Sequence, residues 1–189
     1  MRRLLLSILF LALMGPLAAQ DVRLPMKDGS VKFAVIGDTG TGSSSQYAVA
    51  KQLTAFRTKF PFNFAIMLGD NLYGGERPSD YQKKFETPYK ALLDGGVKFY
   101  AALGNHDDPN QRMYKPFNMN GERYYSFKPS LLAGVRFFAL DSNYMDPKQV
   151  EWLEKDLAAS GSDWKVAFFH HPPYASGQHG SHVIVRDQV

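Results

Sequence analysis

The sequence predicts an α/β domain in which parallel strands end at loops that carry metal-binding side chains. Three short apolar runs, two of them followed by a loop and by apolar residues at helical spacing, indicate parallel strands with right-handed crossovers. Each run ends at a glycine and a polar residue: Gly37-Asp38, Gly69-Asp70 and Gly104-Asn105. Since ligands of open α/β sheets bind beyond the carboxyl ends of the strands, we expect these side chains to converge.

The N-terminal segment has the pattern of an export signal. Arg2 and Arg3 precede an apolar run over residues 4–14, and residues 15–20 supply a helix break and the small residues of a cleavage region. The apolar run is too short to span a bilayer comfortably, which favours cleavage near Ala19 over an uncleaved anchor. We therefore expect a periplasmic or secreted protein without membrane attachment after cleavage.

The composition is that of an ordinary globular protein. The chain has 189 residues, of which 44% are hydrophobic and 21% charged, enough for one domain with a buried core. It has no cysteine, which excludes disulfides and a cysteine-linked lipid anchor. The net charge of +4 is small and the basic residues form no run, so no nucleic-acid partner is expected. The expected division is a signal peptide (1–20), a lead-in (21–30) and one domain (31–189).

The first half of the domain contains the repeated strand units. Residues 31–36 are predicted to form a strand, and the helix after it has apolar positions at Val49, Leu53, Phe56 and Phe60 before Pro61 ends it. Residues 64–68 form the second strand. Pro88 is expected to kink or split the next helix, whose apolar positions are Tyr81, Phe85, Tyr89 and Leu92. Residues 97–103 form the third strand.

The second half has a different pattern. Residues 123–127 and 135–140 are β-rich and close in sequence, which predicts an antiparallel pair. Asp146 and the residues after it indicate a helix N-terminus, and the inward positions of that helix are Val150, Leu153 and Leu157. A last strand over residues 164–169 leads directly into His170 and His171.

The side chains at the strand ends suit a metal site. Asp38 and Asp70 offer carboxylate oxygens, Asn105 offers an amide carbonyl and His170 an imidazole. This mixture favours iron, manganese or zinc over calcium. A single Gly-Asp after a strand is usually only a turn. The order and spacing of the whole set carry the prediction.

That order resembles the calcineurin-like metallophosphoesterase superfamily. Its signature is Gly-Asp-x-Gly or Gly-Asp-x-His, then Gly-Asp-x-x, Gly-Asn-His-Asp/Glu, a histidine after a late strand, and Gly-His-x-His. Residues 37–40, 69–73 and 104–107 and His170 match the first four blocks in order. The resemblance implies a four-layer αββα sandwich with mixed sheets, and a two-metal phosphoesterase site.

Two details resemble the small, single-domain purple acid phosphatases of the tartrate-resistant type. Gly40 stands where other branches carry a metal-binding histidine, and Tyr73 completes a Gly-Asp-x-x-Tyr block. The resemblance implies a centre of Fe(III) with Fe(II), zinc or manganese, bridged by Asp70, whose ligands are Asp38, Asp70, Tyr73, Asn105 and His170. The alternative is that Tyr73 is a loop tyrosine that packs on the surface.

Other residues are expected to surround these ligands. The resemblance makes His106 a catalytic residue that stabilises the phosphoryl oxygens or protonates the leaving group; the alternative is a hydrogen bond to Asp107 or its neighbour. It makes His179 an outer histidine that contacts the substrate. His171 and Asp107 are expected to support the ligands from behind, and an exchange of roles between His170 and His171 stays open.

The expected activity is hydrolysis of small phosphate monoesters by a metal-bound hydroxide that attacks phosphorus in line. A phosphodiesterase or nucleotidase of the same superfamily, or a truncated relative that binds without turnover, are the alternatives. The resemblance places Gly-His-x-His some tens of residues beyond His170, and the sequence to Val189 lacks it. We therefore expect the final strands to be missing and the domain to be incomplete at its C-terminus.

Overall fold

Two three-stranded sheets form the centre of the computed structural model, which describes residues 26–130 and 134–188. The predicted signal peptide lies outside the described residues. The strands are β1 (Phe33–Ile36), β2 (Phe64–Met67), β3 (Lys98–Ala101), β4 (Tyr125–Phe127), β5 (Val135–Ala139) and β6 (Trp164–Phe168). The helices are α1 (Ser44–Arg57), α2 (Pro78–Tyr81), α3 (Lys90–Asp94), α4 (Pro147–Ala159) and α5 (Val183–Gln188), and a π-helical turn covers Gln82–Glu86.

The strand pairing combines parallel and antiparallel neighbours. The first sheet has the order β1-β2-β3 and is parallel, with Phe33 opposite Phe64 and Phe64 opposite Lys98. In the second sheet β4 runs antiparallel to β5, and β6 runs parallel to β5. The predicted α/β fold is therefore confirmed, and so is the antiparallel pair after the third strand.

Aromatic side chains hold the two sheets face to face. Phe33 of β1 lies edge-on to Phe137 of β5, with 5.0 Å between ring centroids, and Tyr100 of β3 stacks on Phe127 of β4 at 3.6 Å. Phe64 of β2 contacts both Phe127 and Phe137. Such pairs add to the hydrophobic stabilisation of a core. Both sheets thus lie in the middle of the fold.

Helical segments cover the outer faces of the two sheets. Because neighbouring residues of a strand point to opposite faces, Phe99 of β3 points away from the second sheet, and Phe85 of the π-helical turn packs on it at 5.1 Å. On the other side, Leu153 of α4 is buried against Phe138 and Leu140. The layers therefore follow the order helix, sheet, sheet, helix.

The buried face of α1 differs from the prediction. Val49 and Phe56 are 53% and 42% exposed, whereas Gln46 and Ala50 are buried and Leu53 packs against the core. At about 100° per residue, the centre of the buried set lies about 60° from that of the predicted set, and Leu53 belongs to both. A small alanine and a hydrogen-bonded glutamine complete the contact face in place of Val49 and Phe56.

The predicted second helix is divided into α2, the π-helical turn and α3. Its expected inward residues Phe85, Tyr89 and Leu92 are each fully buried, and Tyr81 packs partly against the core. The helix α4 begins as predicted, because the Asp146 side chain accepts a hydrogen bond from the Gln149 backbone N–H at 2.9 Å. None of the helices in the described ranges has the length and apolar character needed to cross a bilayer.

Candidate metal centre

Three strand ends bring together side chains that could hold a metal ion. Asp38 follows β1, Asp70 follows β2 and His170 follows β6 of the second sheet. One potential ligand atom from each of these residues lies within 4.8 Å of the others. Residues that are up to 132 positions apart in the sequence therefore converge at one point, which lies where the carboxyl ends of strands from both sheets meet.

Unusual backbone conformations make this convergence possible. Asp38 and Asp70 have φ values of 53° and 50°, in the left-handed region that costs most residues about 1–3 kcal/mol. Gly69, with φ 97°, lies so close to the next strand ends that a Cβ there would be 2.7 Å from Gly104 N and 2.8 Å from His170 Cβ. A glycine is required because it fits into this space and adopts this angle.

The Tyr73 hydroxyl lies between the two carboxylates. It is 2.8 Å from Asp70 Oδ2 and 3.2 Å from Asp38 Oδ1, within hydrogen-bonding distance of both. The Tyr73 backbone N–H donates to the Gly40 carbonyl at 2.9 Å. Any side chain at Gly40 would overlap the Asn71 carbonyl. The loop that carries Tyr73 therefore occupies the space that a histidine at position 40 would need.

The charge around Tyr73 favours a bound cation. Partial burial, the hydrogen bond to Asp70 and the negative charges of Asp70 and Asp38 raise the pKa of Tyr73 above its usual range. Two carboxylates beside a phenol disfavour the phenolate when no cation is present. A metal ion reverses this effect, because its positive charge stabilises carboxylates and phenolate together.

His170 presents its second ring nitrogen to two oxygen atoms. Its Nδ1 lies 3.1 Å from the Leu68 carbonyl, and because a carbonyl only accepts, Nδ1 carries a hydrogen. In a neutral imidazole, Nε2 then points its lone pair at Asn105 Oδ1 (3.0 Å) and Asp70 Oδ1 (3.5 Å). Three electron-pair donors face one another, and a cation between them would satisfy all three. This set of donors fits a metal site.

Asp70 lies between two groups of candidate ligands, Asp38 with Tyr73 on one side and Asn105 with His170 on the other. Its Oδ2 faces Tyr73, whereas its Oδ1 lies near His170 and accepts the His106 backbone N–H at 3.0 Å. The side chain is almost fully buried, at 3% exposure of the residue. A carboxylate with one oxygen directed at each group has the arrangement needed to bridge two ions.

Asp107 connects the loop after β2 to the loop after β3. Its carboxylate accepts the backbone N–H groups of Asn71 (2.8 Å), Leu72 (3.1 Å) and Gly104 (2.8 Å). The side chains of Asn71 and Gln111 also donate to it. Burial raises the pKa of Asp107 to about 6, although these hydrogen bonds favour the charged form. Asp107 therefore holds together the two loops that carry the candidate ligands Asp70 and Asn105.

The four other histidines differ in their contacts with the cluster and its neighbours. The exposed His106 ring lies 5.2 Å from the Tyr73 ring. His171 Nδ1 lies 2.9 Å from the Ser142 hydroxyl, and its ring packs on His182 at 4.5 Å. Burial and the nearby charges of His170 and His182 lower the pKa of His171. His179 is exposed, and within the described ranges no hydrogen bond, ion pair or ring contact links it to the cluster.

Sequence reasoning missed the polar segment after β5. Asn143 Nδ2 donates to the Gly104 carbonyl at 3.2 Å, Ser142 contacts His171, and Asp141 pairs with Arg123 at 2.6 Å. A cavity of about 370 Å³ opens beside this segment, and its lining includes Asn105, Asn143, Tyr144, His171 and His182. The signal was present, because Asp141-Ser142-Asn143 follows an apolar strand as the other site residues do.

Two curated relatives are acid phosphatases. Purple acid phosphatase 17 of Arabidopsis thaliana is 26% identical over 81% of this chain and 55% of its own length. Tartrate-resistant acid phosphatase type 5 of Oryctolagus cuniculus is 25% identical over 86% of this chain and 64% of its own length. The chain thus spans 55% and 64% of the lengths of these two relatives.

Two solved structures share the fold. A dimetal phosphatase from Danio rerio superposes with a TM-score of 0.57 at 14% identity, over 76% of this chain and 70% of its own. GAP50, described as the anchor in the inner membrane complex of Plasmodium, has a TM-score of 0.62 at 18% identity, over 84% of this chain and 60% of its own. At such identities the likeness establishes the fold alone.

The match to a family profile covers most of the chain. The profile described as calcineurin-like phosphoesterase matches residues 31–188, from the residues before β1 to the end of α5. The matched range includes every strand end described above, and the predicted superfamily is confirmed. This chain belongs to the calcineurin-like phosphoesterase family.

Proposed function

We propose that this chain hydrolyses small phosphate monoesters at a dinuclear metal centre of the acid phosphatase type. The observation that carries the proposal is the position of Asp70 between two ligand groups. Its Oδ2 lies 2.8 Å from the Tyr73 hydroxyl and its Oδ1 lies 3.5 Å from His170 Nε2. Family membership and the similarity to purple acid phosphatases support a phosphoester as the substrate.

The two ions would be held by chemically different ligands, one mainly by anionic oxygens and the other by an amide and an imidazole. Asp38 and Tyr73 would hold Fe(III), because a phenolate is a hard, anionic ligand, and Asn105 and His170 would hold Fe(II), zinc or manganese. Asp70 would bridge the two. When bound, such a pair lowers the pKa of a water molecule and offsets the negative charge of the phosphoryl oxygens.

The residues of the chain supply orientation and a proton. The Leu68 carbonyl holds the hydrogen of His170 on Nδ1 and so keeps Nε2 free for a metal. His106, exposed beside the Tyr73 ring, would bind a phosphoryl oxygen or give a proton to the alcohol oxygen that leaves. The outer role of His179 stays a prediction, since the proposal does not need it.

The site would act outside the cytoplasm. We propose that residues 1–20 direct export and that residues 31–189 carry the phosphoesterase domain, on the charge and apolar pattern of the N-terminal sequence. A phosphatase that is secreted or periplasmic would meet free phosphate esters directly. Detection of the mature N-terminus in a secreted fraction would test this part.

Metal content and turnover of matched variants test the catalytic proposal. We expect two metal ions per chain and hydrolysis of an aryl phosphate by the wild type. Asp70→Asn should lose both metal and turnover, because it removes the bridging charge. Asp94→Asn is the matched control, since Asp94 is exposed on α3 and pairs only with Lys90 among the described residues. Full activity of Asp70→Asn would refute the proposal.

The alternatives predict different outcomes of the same experiment. Wild-type protein that binds no metal or one ion and lacks turnover would indicate a non-catalytic relative. Faster hydrolysis of an aryl phosphodiester or a nucleotide than of the aryl monoester would indicate a diesterase or nucleotidase. With Fe(III) bound, a visible tyrosinate absorption that Tyr73→Phe removes is expected only if Tyr73 is a ligand.

A further inference from the structure

A buried lysine lies beneath the loop that carries Tyr73. The Lys84 side chain is only 9% exposed, and its ammonium donates to the carbonyls of Tyr73 (2.7 Å) and Gly75 (2.8 Å). Its third neighbour is Asp80 Oδ1 at 3.4 Å. Two of the three N–H donors of the ammonium group thus have backbone acceptors, and Asp80 supplies the opposite charge. The Lys84 ammonium is therefore hydrogen-bonded to the backbone of the Tyr73 loop as well as paired with a carboxylate.

The π-helical turn Gln82–Glu86 places Lys84 in this position. Lys84 and Phe85 are consecutive and both buried, whereas consecutive residues of an α-helix point about 100° apart. Phe85 enters the core and packs on Phe99. Its neighbour Lys84, in the same π-helical turn, faces the loop that carries Tyr73. Such π-helical turns within helices occur frequently at functional sites.

The backbone of Lys84 is tied to the loop after β1. The Lys84 carbonyl accepts a hydrogen bond from Nε2 of the Gln46 side chain, and Oε1 of the same side chain accepts the Gly42 N–H at 2.6 Å. Lys84 therefore contacts the Tyr73 loop through its side chain and the loop after Asp38 through Gln46. The two loops that would supply Fe(III) ligands share this one support.

The Tyr73 backbone is fixed at both of its polar groups. Its N–H donates to the Gly40 carbonyl at 2.9 Å, and its carbonyl accepts from Lys84 at 2.7 Å. With the backbone held, the phenol is directed between Asp70 and Asp38. An ammonium paired only with an acid would stabilise the fold without this effect on a ligand.

We propose that Lys84 is a positioning residue for the Tyr73 phenol, and that it sets the strength of the tyrosinate bond to the ion held by Asp38 and Tyr73. This inference rests on the proposed function, because it requires Tyr73 to bind metal. Lys84 does not touch the substrate. Its effect should appear in the Fe(III) bound by this half of the site and far less in the divalent ion near Asn105 and His170.

Spectroscopy of the Fe(III)-loaded chain tests the proposal. Lys84→Met keeps the length of the side chain and removes both hydrogen bonds and the ion pair with Asp80. We expect the tyrosinate-to-iron absorption to weaken or shift, and the Fe(III) affinity to fall by about 10–100-fold, the usual effect of losing a residue that supports a ligand. Zinc binding at the second site should change little. Lys83→Met is the matched control, because Lys83 is the exposed neighbour and should keep both properties.

Each outcome separates this inference from the proposed function. A wild-type absorption band that Lys84→Met leaves unchanged overturns the positioning role alone. Equal loss of both metals also overturns it, because a general loss of structure would explain the result. Absence of the band in the wild type overturns the assignment of Tyr73 and with it this inference. If circular dichroism shows Lys84→Met to be unfolded, Lys84→Arg replaces it: a shifted band is expected, and an unchanged band refutes the role.

Discussion

Replacement of Gly69 by alanine should disturb the candidate metal centre although it replaces none of the candidate ligands. Gly69 has φ 97°, and an added Cβ would lie 2.7 Å from Gly104 N, 2.8 Å from Gly104 Cα and 2.8 Å from His170 Cβ. Two of these neighbours are backbone atoms, which cannot move out of the way by a change of rotamer. The strand ends that carry Asn105 and His170 must therefore separate.

The size of the effect follows from two contributions. Carbon atoms in contact normally lie about 3.5–4.0 Å apart, so the neighbours of Gly69 must retreat by roughly 1 Å. Overpacking of this kind costs about 1–3 kcal/mol, and the backbone strain of a residue with a side chain at this φ costs about 1–3 kcal/mol more. A loss of about 2–6 kcal/mol is a large part of the 5–15 kcal/mol that stabilises a typical domain.

Urea unfolding of two glycine variants measures the effect. Gly96→Ala is the control, because Gly96 has φ 77° and no atom within 4 Å of an added Cβ, so this variant reports the strain alone. We expect Gly69→Ala to lose more stability than Gly96→Ala, and to bind less metal. Equal losses in the two variants would refute the reasoning, since they would show that the strand ends are not in close contact at Gly69.

Three other changes should have measurable effects. Asp107→Ala removes the acceptor of three backbone N–H groups and should destabilise the protein by about 3 kcal/mol or more in urea unfolding; a loss below about 1 kcal/mol contradicts this. Phe64→Ala, between the two sheets, should cost about 3–5 kcal/mol, whereas the exposed Phe56→Ala should stay within about 0.5 kcal/mol. Removal of metal by a chelator should lower the melting temperature. The reason is that a ligand present at 100 times its Kd adds about 2.7 kcal/mol to the free energy of unfolding. An unchanged melting temperature contradicts a metal site.

Local sequence patterns were enough to predict where along the chain the strands lie. An apolar run that ends at a glycine and a polar residue is a short-range signal, and parallel strands end at the same edge of a sheet. This reasoning anticipated that Asp38 and Asp70 would approach each other. It was less successful for α1, where Val49 and Phe56 are exposed, because hydrophobicity alone does not show which face of a helix meets the sheet.

The residues that support the site could not be found in the same way. Gln111 is fully buried and donates to Asp107, yet it lies in no recognisable motif. Lys84 appears in the sequence as one charge of a helix surface. It is buried within a π-helical turn, which apolar periodicity does not predict. Such contacts are set by tertiary packing.

The loop after β2, residues 70–75, is held at both ends by residues of other elements. Asp107, after β3, binds the backbone N–H groups of Asn71 and Leu72 at its start, and Lys84 binds the carbonyls of Tyr73 and Gly75 at its end. One support is an anion that accepts from N–H groups, and the other is a cation that donates to carbonyls. Each charge matches the polarity of the backbone groups that it meets. The supports at both ends of this loop therefore direct the Tyr73 phenol to a position between the carboxylates of Asp38 and Asp70.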